Sequence, residues 1–176
     1  NVAKKAQELY GDDVVSRQIA VLQPDETDEN ASSLALGGMI KGISPLQMAS
    51  AYATFGNYGV HNDATCYSTV TDRKGTVILK ADSHPMEILD EEVASLMLNI
   101  LESTVTHGIA GGAKLNSQPS AGKTGTTSDT YDIWFCGLTP QYSAACWIGS
   151  DVNIPVNSDS SKAAKLWAKV MDQVGK

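Results

Sequence analysis

The chain has 176 residues, enough for one compact domain with a buried core. A hydrophobic share of 42% excludes a wholly disordered chain. With 13 Lys and Arg against 20 Asp and Glu, the net charge is −7, which speaks against a nucleic-acid partner, because phosphate backbones demand basic stripes. No apolar run approaches the roughly 18 residues that span a bilayer. The first residue is Asn1, inside an expected helix, so the chain reads as a cut piece of a longer protein. Any anchor or export signal is expected upstream.

In chain order, Val2, Ala6 and Leu9 share one face of an expected helix over 2–10, with Gly11 as its stop. Residues 23–33 are polar and acidic and read as a solvated surface loop. Ser44 and Gln47 have the spacing of a capping box, with Pro45 in the first turn. Met48, Ala49, Tyr52, Ala53 and Phe55 give that helix apolar surface, and it is expected to stop near Gly56 and Gly59. Residues 65–71 and 76–80 read as a strand pair around the turn Asp72-Arg73-Lys74-Gly75. A helix over 91–104 is expected, with Asp90 as cap and Glu91 and Glu92 at the positive end of its dipole. Its apolar stripe would be Val93, Leu96, Met97, Ile100 and Leu101. A Gly-rich loop over 105–117 follows, and then strands at 119–127, 132–138 and 142–149. Thr139-Pro140-Gln141 joins the last two tightly, which favours an antiparallel meander. In the final helix, 160–174, Ala163, Trp167, Val170, Met171 and Val174 can face the sheet while Lys162, Lys165 and Lys169 stay wet. The expected class is α+β, an antiparallel sheet flanked by helices.

Cys66, Cys136 and Cys146 contain no Cys-x-x-Cys pair. Cys136 and Cys146 fall on neighbouring expected strands of unknown register, so their pairing stays open. His61, His84 and His107 lack metal-ligand spacing and read as surface or structural residues. Trp134 and Trp147 read as core residues.

The segment Ser120-Ala121-Gly122-Lys123-Thr124-Gly125-Thr126-Thr127 carries the chemistry. As a phosphate loop it fails, because the required first glycine would stand at Ser117 and no helix start follows. It can be an ordinary Gly/Thr-rich edge strand. It also suits an active-site strand for an anionic acyl substrate. A lysine supplies positive charge, threonine hydroxyls donate to a carboxylate, and a glycine admits a substrate backbone. A strand N–H can face a developing oxyanion.

Lys123-Thr124-Gly125 resembles the third motif of penicillin-binding protein transpeptidases and serine β-lactamases. The resemblance extends to Ala35-Leu36-Gly37-Gly38, Ser44-Pro45-Leu46-Gln47-Met48-Ala49 and Ala51-Tyr52-Ala53-Thr54-Phe55-Gly56-Asn57-Tyr58-Gly59. Thr106-His107-Gly108-Ile109-Ala110 resembles the family's variable loop. Asp132-Ile133-Trp134-Phe135-Cys136-Gly137-Leu138-Thr139-Pro140 and Cys146-Trp147-Ile148-Gly149-Ser150-Asp151 resemble two of its strands. Together these cover about 35–151 and are similar to class A synthases more than to β-lactamases.

The departures concern the nucleophile. The one Ser-x-x-Lys match, Ser120 to Lys123, lies in an expected strand, where residues three apart face opposite sides. Ser120 is therefore rejected as nucleophile, and no Ser-x-Asn occurs. Asn1-Val2-Ala3-Lys4-Lys5-Ala6 resembles the continuation of the family's Ser-x-Asn motif, which makes Asn1 a candidate substrate ligand. The chain is thus expected to be the C-terminal part, 1–176, of a transpeptidase domain, inactive alone.

The resemblance implies a serine D,D-transpeptidase acting on D-Ala-D-Ala stem peptides of peptidoglycan and acylated by β-lactams. It implies no metal or organic cofactor. Lys123 and Thr126 would be catalytic, with the Thr126 N–H as half of an oxyanion hole. Thr124, Gly125 and Thr127 would bind substrate, with the Thr124 and Thr126 hydroxyls on its carboxylate. The implied place is the extracytoplasmic face of a bacterial membrane. The implied partner is the missing N-terminal half of the domain, and an isolated fragment would self-associate. The alternatives are a non-catalytic wall-binding module of the same fold, and a β-lactamase or D,D-carboxypeptidase.

Overall fold

A computed structural model describes residues 37, 39 and 42–174. Asn1, the expected helix over 2–10 and the acidic loop 23–33 lie outside the described residues.

Helix α1 (Pro45–Gly56) begins as its sequence requires. The Ser44 hydroxyl accepts the Gln47 N–H at 3.3 Å, and Gln47 Oε1 accepts the Ser44 N–H at 3.0 Å, so the capping box is closed. The chain leaves the helix through Tyr58 and Gly59, both at positive φ (55° and 87°). Gly59 tolerates no side chain, because a Cβ there would sit 2.0 Å from the Leu89 carbonyl oxygen. Its carbonyl accepts the N–H groups of Ile88 and Leu89. Strands β1 (Val60–His61) and β4 (Met86–Glu87) pair beside this contact. Two residues are too few to show alternation, so the pair left no sequence signal.

Strands β2 (Thr69–Thr71) and β3 (Val77–Lys80) form the expected hairpin, exposed throughout. Asp72 closes its turn by accepting the N–H groups of Lys74 and Thr76 at 2.8 Å each. These bonds, that of Thr76 first, hold the Asp72 carboxyl below its ordinary range.

Helix α2 (Glu91–Thr106) runs past its expected end. Asp90 occupies the N-cap position, but its side chain makes no cap bond. The expected stripe is also corrected. The buried residues are Ala94, Leu101 and Val105, whereas Val93, Leu96, Met97 and Ile100 are exposed. The helix carries two neighbouring apolar stripes, and periodicity alone does not choose between them. Ala94 is small enough for close approach, and Leu101 packs on Ala121 and Leu138 of the sheet.

The sheet consists of β5 (Ala121–Thr126), β6 (Ile133–Leu138) and β7 (Ser143–Ile148), antiparallel in that order. Lys123 lies opposite Cys136, and Phe135 lies opposite both Thr124 and Cys146. Helix α3 (Ser160–Val174) covers one face. Trp167 meets Phe135 edge-on at 5.1 Å and donates its indole N–H to the Ala144 carbonyl at 3.0 Å. On the other face, Tyr52 and Phe55 of α1 and Leu98 and Leu101 of α2 pack around Ala121 and Leu138. This helix–sheet–helix layering is the expected α+β class.

Two core assignments change. In α3 the buried residues are Ala163, Ala164, Trp167, Ala168 and Met171, while Val170 and Val174 are exposed. Alanines allow the helix to lie close, so the bulkier valines face out. Trp167 is the buried tryptophan, whereas Trp134 and Trp147 are half-buried and contact each other at 6.3 Å.

The register also answers the thiol question. Cys146 packs on the α3 side with Phe135. Cys136, next in sequence to Phe135, faces the opposite side. The two thiols point away from each other and are free. Burial pushes the Cys136 thiol up to about 12, and burial raises Tyr52 well above its ordinary range.

Candidate active site

The expected site residues lie at one end of β5 and just beyond it. Thr127 donates its N–H to the Asp132 carbonyl at 3.0 Å. Antiparallel bonding alternates, so Lys123 and Gly125 share this inward type, while Gly122, Thr124 and Thr126 turn their N–H and C=O groups outward. β5 is the outer strand of the sheet among the described residues. Two contacts agree with this parity. Thr104 of α2 donates its hydroxyl to the Gly122 carbonyl, and Lys123 donates Nζ to the Thr124 carbonyl at 2.8 Å. α2 therefore covers the edge at Gly122. Farther along, the edge carries a lysine ammonium at Thr124 and an outward N–H at Thr126.

The side chains divide between the faces. Lys123 is exposed and lies on the Cys136 side. Thr124 lies on the Phe135 side, only 7% exposed. Gly125 is half-buried, and Thr126 is exposed. The Thr127 hydroxyl is already engaged. It accepts the Asp132 N–H at 2.8 Å and lies 3.3 Å from the Asp132 carboxylate. Ser120 is buried and donates its hydroxyl to the Ala113 carbonyl at 3.0 Å, a structural use of that oxygen. Asn1 lies outside the described residues.

The histidines divide between core and surface. His61 is buried, with Nδ1 3.2 Å from the Thr54 hydroxyl, and His84 and His107 are exposed. Among the described residues, no group of His, Cys, Asp and Glu has the makings of a metal site. A cleft of about 310 Å³ lined by Phe55, Leu98, Glu102, Pro119, Leu138 and Pro140 opens at the Ala121 end of β5, away from Thr126.

Sequence reasoning placed Asp132 in a strand that resembles the family's but gave it no role in this region. Its Oδ1 accepts the Trp147 indole N–H at 2.8 Å. A half-buried carboxylate beside an indole donor was the available signal, but it needed the β6–β7 register to be seen.

The chain matches the model of the penicillin binding protein transpeptidase domain over residues 10–172. Penicillin-binding protein 1A of Clostridium botulinum is 41% identical over 152 residues, covering 85% of this chain and 18% of that protein. Penicillin-binding protein 4 of Bacillus subtilis is 37% identical over 117 residues, covering 66% of this chain and 19% of that protein. The chain thus spans about a fifth of these relatives' length. Among solved structures, PonA1 from Mycobacterium tuberculosis in complex with penicillin V superposes with a TM-score of 0.77 at 23% identity, over 93% of this chain and 49% of that one. Penicillin-Binding Protein 1A from Haemophilus influenzae gives 0.75 at 19% identity, over 98% and 32%. These two show the fold, and the matched span with the closer relatives shows the kinship: the chain belongs to the penicillin-binding protein transpeptidase family.

Proposed function

We propose that residues 1–176 form the C-terminal part of a peptidoglycan D,D-transpeptidase domain whose nucleophilic serine lies upstream. The observation that carries this reading is the edge of β5, outermost among the described residues, which presents an outward Thr126 N–H beside the Lys123 ammonium. In the intact domain, a lysine-activated serine attacks the penultimate D-Ala carbonyl of a stem peptide. The Thr126 N–H and the serine's own N–H hold the oxyanion. The C–N bond breaks, D-Ala leaves with a proton, and an acyl-serine ester remains. The amine of a second stem peptide then attacks the ester, the C–O bond breaks, the serine leaves with a proton, and the amide cross-link forms.

Lys123 holds positive potential at the substrate carboxylate and supports proton transfer. The exposed Thr126 hydroxyl suits that carboxylate better than the Thr124 hydroxyl, which is buried. Gly125 leaves room for the substrate backbone. β-Lactams acylate the same serine, and no cofactor enters the scheme. The domain works outside the cytoplasm, where its substrate lies. No helix of the described residues is long and apolar enough to cross a membrane. The exposed Leu96 and Ile100 of α2 suit contact with the rest of the domain, or self-association when that part is missing.

The test is to treat the intact protein with a fluorescent penicillin and map the adduct. The reading expects a long-lived ester on a serine outside residues 1–176, and no adduct on this chain alone. Absence of any adduct, or an adduct on Ser120, would overturn it. Rapid ester hydrolysis would move the assignment to a β-lactamase or carboxypeptidase.

A further inference from the structure

We infer that Asp132 is a positioning residue that holds the reactive end of β5 in register, acting through Thr127 and Trp147. This rests on the function proposed above.

The β5–β6 hairpin closes in an unusual way. The Thr127 carbonyl would ordinarily accept the Asp132 N–H and complete the ladder. Here that carbonyl accepts the Thr130 N–H at 3.1 Å instead. The Thr127 hydroxyl replaces it and accepts the Asp132 N–H at 2.8 Å. Asp132 Oδ2 lies 3.3 Å from that hydroxyl and can take its proton in a hydrogen bond. Oδ1 accepts the Trp147 indole N–H at 2.8 Å. One carboxylate therefore links the residue after Thr126 to the third strand of the sheet.

The turn inside this closure is strained. Asp129 and Thr130 both have positive φ (58° and 56°), which is costly for a β-branched threonine. The Thr130 carbonyl accepts the Val156 N–H at 2.9 Å, so the turn is held from outside as well. Strain of this kind persists only where the surroundings enforce it. Thr126 is one residue from the clamp, and among the described residues its N–H has no ladder partner to position it. Its aim depends on its neighbours. Oxyanion donors must be placed to within a fraction of an ångström, and small displacements carry large rate losses.

The test measures acylation of the intact protein by a chromogenic β-lactam, separating the limiting acylation rate from the dissociation constant of the pre-covalent complex. Asp132→Ala is expected to lower the limiting rate about tenfold, with that constant changed less than twofold. Asp132→Asn keeps an acceptor for the indole and is expected to recover part of the lost rate. Trp147→Phe keeps the ring but removes the donor and is expected to lower the rate like Asp132→Ala, which tests the clamp even where the alanine variant does not fold. Acylation of Asp132→Ala at the parent's limiting rate would overturn the inference. So would a loss that merely scales with the folded fraction. A parent protein that takes no β-lactam would overturn the functional reading and this inference together, so the two failures are distinguishable.

Discussion

Two glycines on β5 should separate stability from activity. Gly122 lies against β6 with no room behind it. A Cβ there would sit 2.5 Å from the Cys136 carbonyl oxygen, 2.5 Å from Phe135 Cζ and 2.9 Å from Gly137 Cα. Two of these three atoms are backbone and cannot rotate away. Gly122→Ala must therefore push β5 off β6. Overpacking costs about 1–3 kcal/mol, and backbone contacts this close put the change near the upper end, about 3 kcal/mol. Gly125 differs. Its nearest contacts would be Trp134 Cβ at 3.3 Å and Cγ at 4.0 Å, both side-chain atoms. Gly125→Ala should cost under about 1 kcal/mol in stability, yet it adds a methyl where the substrate backbone is expected to approach. Hydrogen exchange of the β6 amides in the intact domain, read by mass spectrometry, checks the first effect. A loss of about 3 kcal/mol corresponds to roughly a hundredfold faster exchange through global opening. β-Lactam acylation checks the second. Gly122→Ala exchanging like the parent would refute the packing argument, and Gly125→Ala acylating like the parent would refute the assigned approach.

Two further predictions follow from the strand geometry and the buried thiol. Thr126→Pro removes an outward N–H without removing a ladder bond, a position where an edge strand tolerates proline. It should cut acylation about a hundredfold or more while β6 amide protection holds; undiminished acylation would show that this N–H is not an oxyanion donor. The second concerns alkaline pH. The Cys136 thiol is held neutral up to about 12 in the folded chain, against an ordinary value of 9.0. Unfolding above pH 9 releases a proton, so stability is intact below pH 9 and falls between about 9 and 12, by at most about 1.4 kcal/mol per pH unit from this group. Tyr52 is shifted in the same direction and adds to the fall at its upper end. Cys136→Ala should flatten the denaturation profile between pH 9 and 11. An unchanged slope would refute the assignment.

Punctuated elements were the most legible part of the sequence. Ser44, Pro45 and Gln47 fixed the start of α1 because a capping box is a local structure. The strands β5, β6 and β7 could be read from β-branched residues and short turns. Which face of α2 is buried could not be read, because two stripes compete and the choice belongs to the packing of Ala94 and Leu101 against the sheet. The same holds for α3, where alanines take the inner face and Val170 and Val174 the outer. Lys123, Gly125 and Thr126 were legible as a group through their motif. Their division between two faces and an edge needed the pairing with β6. Thr127 reads as a ligand in sequence but is bonded to Asp132 in the fold. Asp132 and Trp147 are 15 residues apart, and only the β6–β7 ladder brings them together.

The most direct test of the central claim is the acylation rate of the intact protein carrying Lys123→Ala, measured with fluorescent penicillin beside the parent. If Lys123 holds the positive potential of the acylation site, the rate should fall by a hundredfold or more, about 3 kcal/mol of transition-state stabilisation, while the β6 amides keep their protection from exchange. A Lys123→Ala protein that acylates at the parent's rate would contradict the account, and β5 would then be an ordinary edge strand.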